Sequence, residues 1–467
     1  MPPVSNAHKI AVVTGDTLGP RMAGPAIRAW HLAGVLAREH DVQLLTTGSC
    51  ELDDVRFVTA HADDARLRGA VEWCEVLVVQ GWVLAGRPWI AHAGCVVVCD
   101  IYDPMHLEQL EQGRDSGPDG WRRAVHGAMA TLNEQLRRGD YFICASEKQR
   151  DFWLGHLAGL GRINPATYRD DPTLRGLIDV VPFGTSDDAP ERGTSGIRGR
   201  LPGVDEQSRI VLWGGGIYNW FDPLTLIRAV DRLRQKHPDV RLVFMGLQHP
   251  SPEIPQMRVA VEAQELAEEL DLTDRFVHFN AGWVPFAERH EMLLDADIGV
   301  STHFANIETE FSFRTRILDY LWAGLPVVCT EGDGLASVIE SSGIGMAVAP
   351  LDVTALERAL DALLSDPDLL ARCADASRRA GLELRWSRVA APLEAFCRAP
   401  RRAPDLIDPE QQELVEHDHV VVTTTRSKLQ HDLLLGRSLL RVEGVRGLAA
   451  HVTKRIRRLA GQRALPP

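Results

Sequence analysis

The sequence predicts an α/β protein: two doubly wound, Rossmann-like domains in tandem, facing each other across a cleft, followed by a basic helical tail. Three observations carry that expectation. Short Val- and Ile-rich runs alternate with amphipathic stretches in both halves of the chain, the pattern of parallel sheets with helices on both faces. The chain has 467 residues, whereas a single core stops growing at roughly 250–300. Between the halves, Asp187 to Gly203 gathers acidic, Pro, Gly and Ser residues without apolar periodicity, as a joint does.

Taken in order, Lys9 to Thr14, Val42 to Thr46, Val76 to Gln80, Val96 to Asp100 and Tyr141 to Ala145 read as strands, too short for helices and rich in β-branched residues. Ala26 to Arg38 and Trp121 to Leu136 have helical spacing. The second half repeats the scheme, with strands at Arg209 to Trp213, Leu242 to Met245, Phe276 to Asn280, Ile298 to Ser301 and Pro326 to Cys329. Its helices are Leu224 to Gln235, Arg258 to Leu270 and Ala287 to Leu294. The expected division is 1–190, 191–385, a closing helix over 386–400 and a tail over 401–467. Ligands of such sheets sit beyond the carboxyl ends of the strands, so the site is expected in the cleft.

A hydrophobic fraction of 45% and a charged fraction of 25% are ordinary for a folded protein. The net charge of −13 argues against a general nucleic-acid binder. Eight cysteines without a CxxC pair read as reduced, buried thiols. No signal-like start and no membrane-length apolar run is present, which sets a cytoplasmic expectation. Scarce lysine beside arginine, with much alanine, resembles the usage of a high-GC bacterial genome.

The most informative segment runs from Glu310 to Val328. Ser312 can cap a helix, Ile317, Leu318, Leu321 and Trp322 supply its buried side, and Gly324 ends it. A helix start favours phosphate oxygens, and Arg314 and Arg316 lie beside it. Glu310 and Asp319 add carboxylates that can hold sugar hydroxyls, so the segment as a whole points to a nucleotide sugar. The plainer reading of Arg316 is an ion pair with Asp319 one turn on, and of Arg314 a solvated side chain. Gly214-Gly215-Gly216 follows a strand and precedes a helix, but Asn219 stands where a dinucleotide fingerprint has its third glycine. Gly15, Gly19 and Gly24, with Arg21 and Arg28 nearby, make a second glycine loop.

These features resemble the retaining glycosyltransferases of the GT-B fold, family 4. The resemblance runs from about Ile10 to Phe396. It is carried by the Ile10 to Arg38 loop and helix, Val180-Val181-Pro182-Phe183-Gly184, Ala296-Asp297-Ile298-Gly299-Val300-Ser301 and Ala323-Gly324-Leu325-Pro326-Val327-Val328. It implies a hexosyltransferase-type enzyme that moves a sugar from a nucleotide-sugar donor to a hydroxyl acceptor, keeping the anomeric configuration. The donor is then held by the second domain and the acceptor by the first, with no metal and no cofactor beyond the donor itself. Donor contacts fall on Gly24, Gly215, Gly216, Asn219, Ser312, Phe313 and Asp319.

The chain departs from that pattern at charged positions. The family has two glutamates seven residues apart; here Asp319 stands at the second place and Phe311 at the first. Glu310, one residue early, is taken as the donor-sugar contact, with Glu308 as the alternative. Gly216 and Phe221 replace the family's diphosphate-binding Arg and Lys, and Arg314 and Arg316 are the natural substitutes, since departing diphosphate needs positive charge. Phe183, Gly246 and Leu247 fall near the place of the base and present no discriminating side chain. On the acceptor side, Asp103 and His106 lie beyond a strand end and can orient a hydroxyl. Both also have structural readings, a helix cap and a solvated helix residue. Asp295-Ala296-Asp297 mimics a metal-binding DxD but starts a buried strand and reads as structural.

From Arg426 to Arg463 ten basic residues stand against Asp432 and Glu443. Val445, Leu448, Val452, Ile456 and Leu459 recur at three and four residues among Lys454, Arg455, Arg457 and Arg458, the pattern of a helix on an anionic membrane surface. A helix packed on the acidic body of the chain, or a partner-binding tail, fits the same pattern. The membrane reading implies peripheral attachment at the inner face and a lipid-linked or saccharide acceptor of the cell envelope. Otherwise the acceptor is a small molecule such as a natural-product aglycone. Two further readings of the whole chain remain: a non-catalytic nucleotide-sugar scaffold, and a GT-B epimerase or phosphorylase.

Overall fold

A computed structural model describes residues 7–193, 196–247 and 256–408; the basic amphipathic segment expected between Val445 and Leu459 lies outside them. The first sheet contains β1 (Lys9–Thr14), β2 (Asp41–Thr46), β3 (Val58–His61), β4 (Val76–Gln80), β5 (Val96–Asp100), β6 (Tyr141–Cys144) and β7 (Ile178–Val180). Its order is β3-β2-β1-β4-β5-β6-β7, with every pair parallel. The second contains β8 (Arg209–Trp213), β9 (Val240–Phe244), β10 (Val277–Phe279), β11 (Ile298–Ser301), β12 (Val327–Thr330) and β13 (Gly345–Val348). Its order is β10-β9-β8-β11-β12-β13, again all parallel.

Both faces of each sheet are covered. Ile10 and Val12 enter one apolar cluster and Ala11 and Val13 another, and in β8 Ile210 and Leu212 separate from Val211 and Trp213 in the same way. Strand order reverses between β1 and β4 and between β8 and β11, which opens a crevice beyond their carboxyl ends. Five expected strands match their observed bounds, and the others shift by a residue or two. The strands absent from the sequence reading, β3, β7 and β13, are three- and four-residue edge strands. Such runs are too short to show a period. The helix expected from Ala26 begins at Gly24, because Pro25 suits a first helical turn.

The joint is tied down by charge. Arg198 donates to Asp295 (3.1 Å) and Asp297 (2.9 Å), and the Asp295 carboxylate also accepts from the Ile197 and Arg198 backbone N–H groups, both at 2.7 Å. The two acids of the DxD look-alike are therefore engaged with the linker and with the Ile210 N–H of β8. Trp386, buried, stacks on His31 at 5.1 Å, and Phe396 stacks on Tyr141 at 4.2 Å, so the short helices Trp386–Val389 and Ala391–Arg398 return to the first domain. All eight cysteines are free; seven are buried and Cys50 half-buried. Among the described residues no helix is long and apolar enough to cross a membrane.

Candidate functional site in the interdomain cleft

A cavity of about 580 Å³ lies between the carboxyl edges of the two sheets. Its first-domain wall comes from the ends of β1, β4 and β5, bringing Asp16, Trp82, Tyr102 and Asp103. Gly24, at the start of the helix Gly24–Leu36, lines it as well. The second-domain wall comes from Gly214-Gly215-Gly216 after β8 and from Ser312 to Asp319. Gly215 has φ +77°, a conformation that favours glycine. A Cβ on Gly216 would lie 3.0 Å from the Trp283 ring and 3.2 Å from Tyr218, so a side chain there requires both rings to shift. Trp283 also donates from its indole N–H to the Met22 carbonyl (3.2 Å), joining the walls.

The missing charge arrives from the other side. Arg316 is buried; its Nη2 donates to the Gly216 carbonyl (2.7 Å) and its guanidinium lies over Phe221 at 3.8 Å and Trp213 at 4.4 Å. The cation therefore sits against the two positions where the family's cations are absent. Its Nη1 is buried and has no hydrogen-bond partner. Burial pushes the guanidinium down to about 10, which leaves it charged at neutral pH and short of a counter-ion. The ion pair with Asp319 is not made: Asp319 accepts instead from Arg289 Nε (3.2 Å), a cavity residue stacked on Phe286 at 3.8 Å. Sequence reasoning missed Arg289, which comes from a separate helix, Arg289–Asp295, with nothing in its spacing to link it to Asp319.

Arg314 is not a solvated side chain. It makes a bidentate pair with Glu308 (3.0 and 2.8 Å) and donates to Thr309 Oγ1 (3.1 Å). Glu308 is 1% exposed and lines the cavity, whereas the Glu310 side chain is 56% exposed, 3.6 Å from Lys148, and does not line it. The short helix Ile307–Phe311, capped by Asn306, turns Glu308 inward and Glu310 outward. The expectation for Glu310 is corrected accordingly. Ser312 lines the cavity but does not cap the following helix, Thr315–Ala323; it ends the preceding one, donating to the Thr309 carbonyl at 3.1 Å. Phe313 lines the cavity too, and Gly324 ends its helix at φ +73°.

Other expected contacts fall elsewhere. Asn219 is buried outside the cavity lining, donating to Asp115 (2.9 Å) and accepting from the Val259 N–H (3.3 Å). His106 stacks on Phe152 at 5.7 Å, away from the cavity, and burial pushes it down to about 4. Arg28 is fully buried and pairs with Asp100 at 2.6 and 2.9 Å, so it braces the sheet end. Phe183 and Gly246 line the cavity and Leu247 does not. Asp103 does line it; burial raises its carboxyl to about 7, against the lowering effect of a hydrogen bond with Glu108. Burial and the nearby Asp103 and Glu308 charges push Glu108 well up, so the pair is read as a protonated Glu108 donating to ionised Asp103.

Residues 208–366 match the family model described as Glycosyl transferases group 1. Glycogen synthase of Mycobacterium tuberculosis is 25% identical over 395 residues, covering 82% of this chain and 84% of that one. Among solved structures, sucrose-phosphate synthase from Thermosynechococcus elongatus superposes with a TM-score of 0.60 at 16% identity, covering 84% of this chain and 98% of that one. WaaG, a glycosyltransferase involved in lipopolysaccharide biosynthesis, gives 0.58 at 18%, over 84% and 100%. Anabaena HepE in complex with UDP-glucose gives 0.59 at 13%, over 84% and 99%.

Proposed function

We propose that the chain, which has the GT-B fold and matches the group 1 glycosyltransferase model over residues 208–366, transfers a hexosyl group from a nucleotide sugar to a hydroxyl acceptor with retention of configuration. The observation that carries this reading is Arg316, a buried cation with an unpartnered Nη1 on the second-domain wall, stacked where the family's diphosphate-binding side chains are missing. The diphosphate lies against Arg316 and the Gly214-Gly215-Gly216 turn. Arg314 reaches it only in part, because Glu308 already neutralises its fork. Glu308 and Asp319 accept hydrogen bonds from the donor's hydroxyls, each carboxylate held by an arginine.

In the reaction the C1–O bond to the diphosphate breaks and the acceptor oxygen bonds to C1 on the face the leaving group vacates. The acceptor proton passes to a departing phosphate oxygen. The protein holds the partners in contact and stabilises charge on the leaving group, worth several kcal/mol in sites of this kind, roughly 3–4 for one well-placed donor. Asp103 orients the acceptor hydroxyl from the opposite wall.

The test is turnover with a panel of nucleotide sugars, following release of nucleoside diphosphate and the anomeric coupling of the product. Transfer with the donor's configuration supports the reading. Free sugar released without an acceptor points to an epimerase-type activity, and binding without turnover to a scaffold. In the same assay Glu308→Gln is expected to lower kcat/KM about 10- to 100-fold, as loss of a hydrogen bond to a charged group does. Glu310→Gln should stay within about twofold. Equal losses would return the donor contact to Glu310.

The basic tail supports a peripheral-membrane reading, and with it an envelope acceptor. Sedimentation with vesicles containing anionic lipid is expected to bring down the full chain and to leave a variant ending at residue 408 in solution. Neutral vesicles should leave both behind. Equal behaviour of the two proteins with anionic vesicles removes the membrane proposal.

A further inference from the structure

The helix Glu147–Gly159 is capped by Ser146, whose hydroxyl accepts from the Gln149 N–H (3.1 Å). A glutamine or glutamate three places after such a cap commonly turns back to a backbone N–H, and either acid or amide serves. Gln149 does turn back: its Oε1 accepts from the Ala145 N–H (2.8 Å). Its amide nitrogen has a second use, open to glutamine and not to an ionised glutamate. It donates to the Tyr102 carbonyl (2.8 Å) in the first domain and to the Phe311 carbonyl (2.7 Å) in the second. The side chain is fully buried, with both N–H groups engaged.

Both carbonyls stand next to the chemistry of the cleft. Tyr102 precedes Asp103, the residue on the acceptor side of the cavity. Phe311 ends the short helix that carries Glu308, the contact for donor hydroxyls, and precedes Ser312 of the lining. Phe311 itself, at the place of the family's first glutamate, does not line the cavity. It packs on Phe152 of the Gln149 helix at 4.6 Å, with the Lys148 ammonium 5.4 Å from its ring. The helix bearing the donor contact is therefore seated on the first domain, whereas Arg316 is held by Gly216, Phe221 and Trp213 of its own domain.

We propose that Gln149 is a positioning residue for the transfer: its single amide fixes the span between Asp103 and Glu308, and so between acceptor hydroxyl and donor sugar. The proposal deepens the transferase reading and rests on it. Gln149 does not line the cavity and acts only through the two carbonyls. Attack at C1 needs the reacting atoms about 3–3.5 Å apart, and a misplacement of ~1 Å costs about 10²-fold. Binding of the diphosphate on Arg316 carries no such demand on the span.

The test compares Gln149→Met with the parent in the turnover assay above, using whichever of UDP-glucose, GDP-mannose, ADP-glucose and dTDP-glucose the parent cleaves. Calorimetric affinity for the matching nucleoside diphosphate is measured beside it. Methionine keeps the length of the side chain and removes the whole amide. The expected result is a kcat about 10- to 100-fold lower, with donor KM and nucleoside diphosphate affinity within about threefold of the parent. A general loosening of the fold lowers kcat and nucleotide affinity together, so the split separates positioning from stability. Phe311→Leu takes the ring off Phe152 and leaves the carbonyl in place; it is expected to show the same split at about 2- to 10-fold, and its result decides if Gln149→Met does not fold. An unchanged kcat, or equal losses of kcat and nucleotide affinity, would overturn the proposal and leave the transferase reading standing. A parent that neither binds a nucleoside diphosphate nor cleaves a nucleotide sugar would overturn both.

Discussion

Arg316→Ala is expected to lower kcat/KM for sugar transfer by about 10²–10³, the loss seen when one preorganised donor is removed from a developing charge. Most of the loss should fall on kcat. The diphosphate gains charge as the C1–O bond lengthens, so the contact is worth more in the transition state than in the bound donor. Arg316→Lys keeps a cation but loses the plane that stacks on Phe221 and Trp213 and the fork that reaches the Gly216 carbonyl while leaving Nη1 for the ligand. It should recover only part of the rate. Initial rates of nucleoside diphosphate release with saturating acceptor measure both variants. A kcat unchanged in Arg316→Ala would place the diphosphate elsewhere.

The second large effect is on stability. Asp100→Ala leaves the Arg28 guanidinium, which is 0% exposed, without its carboxylate. Nη1 and Nη2 keep the Pro182 and Val181 carbonyls (3.1 and 2.9 Å), but neither is a counter-charge. Breaking one partner of a buried pair costs about 3–5 kcal/mol. Equilibrium denaturation should show the midpoint fall by that free energy divided by the slope, with the slope itself unchanged. Since Arg28 lies over Tyr102 at 4.8 Å and Phe183 at 5.3 Å, both lining the cavity, the acceptor wall should loosen as well. A variant as stable as the parent would mean that Arg28 reaches water in solution.

The fold was legible because its central strands are buried on both faces. Lys9–Thr14, Val76–Gln80 and Arg209–Trp213 declare themselves as apolar runs of strand length. Edge strands do not, as β3 and β13 show: each is four residues long with polar residues or glycine in it. The site was legible where a motif is continuous. The Gly214-Gly215-Gly216 turn and the stretch from Ser312 to Asp319 both reached the cavity. It failed where one residue of register decides the direction of a side chain. Glu308 and Glu310 are separated by two residues on one helical turn, and only the Asn306 cap fixes which faces inward. Asn219, next to a glycine turn, is drawn away by Asp115, and His106 by Phe152, partners far off in sequence or on another helix. Arg289 and Glu108 share no spacing with the segments they join, so only packing reveals them.

Calorimetric titration of UDP, GDP, ADP and dTDP into the full chain, with Arg316→Ala in parallel, tests the donor wall most directly. Saturable binding of one nucleotide by the parent is expected, weakened more than about tenfold, or roughly 1.4 kcal/mol, in the variant. Failure of all four to bind, or equal affinity in parent and variant, would contradict it.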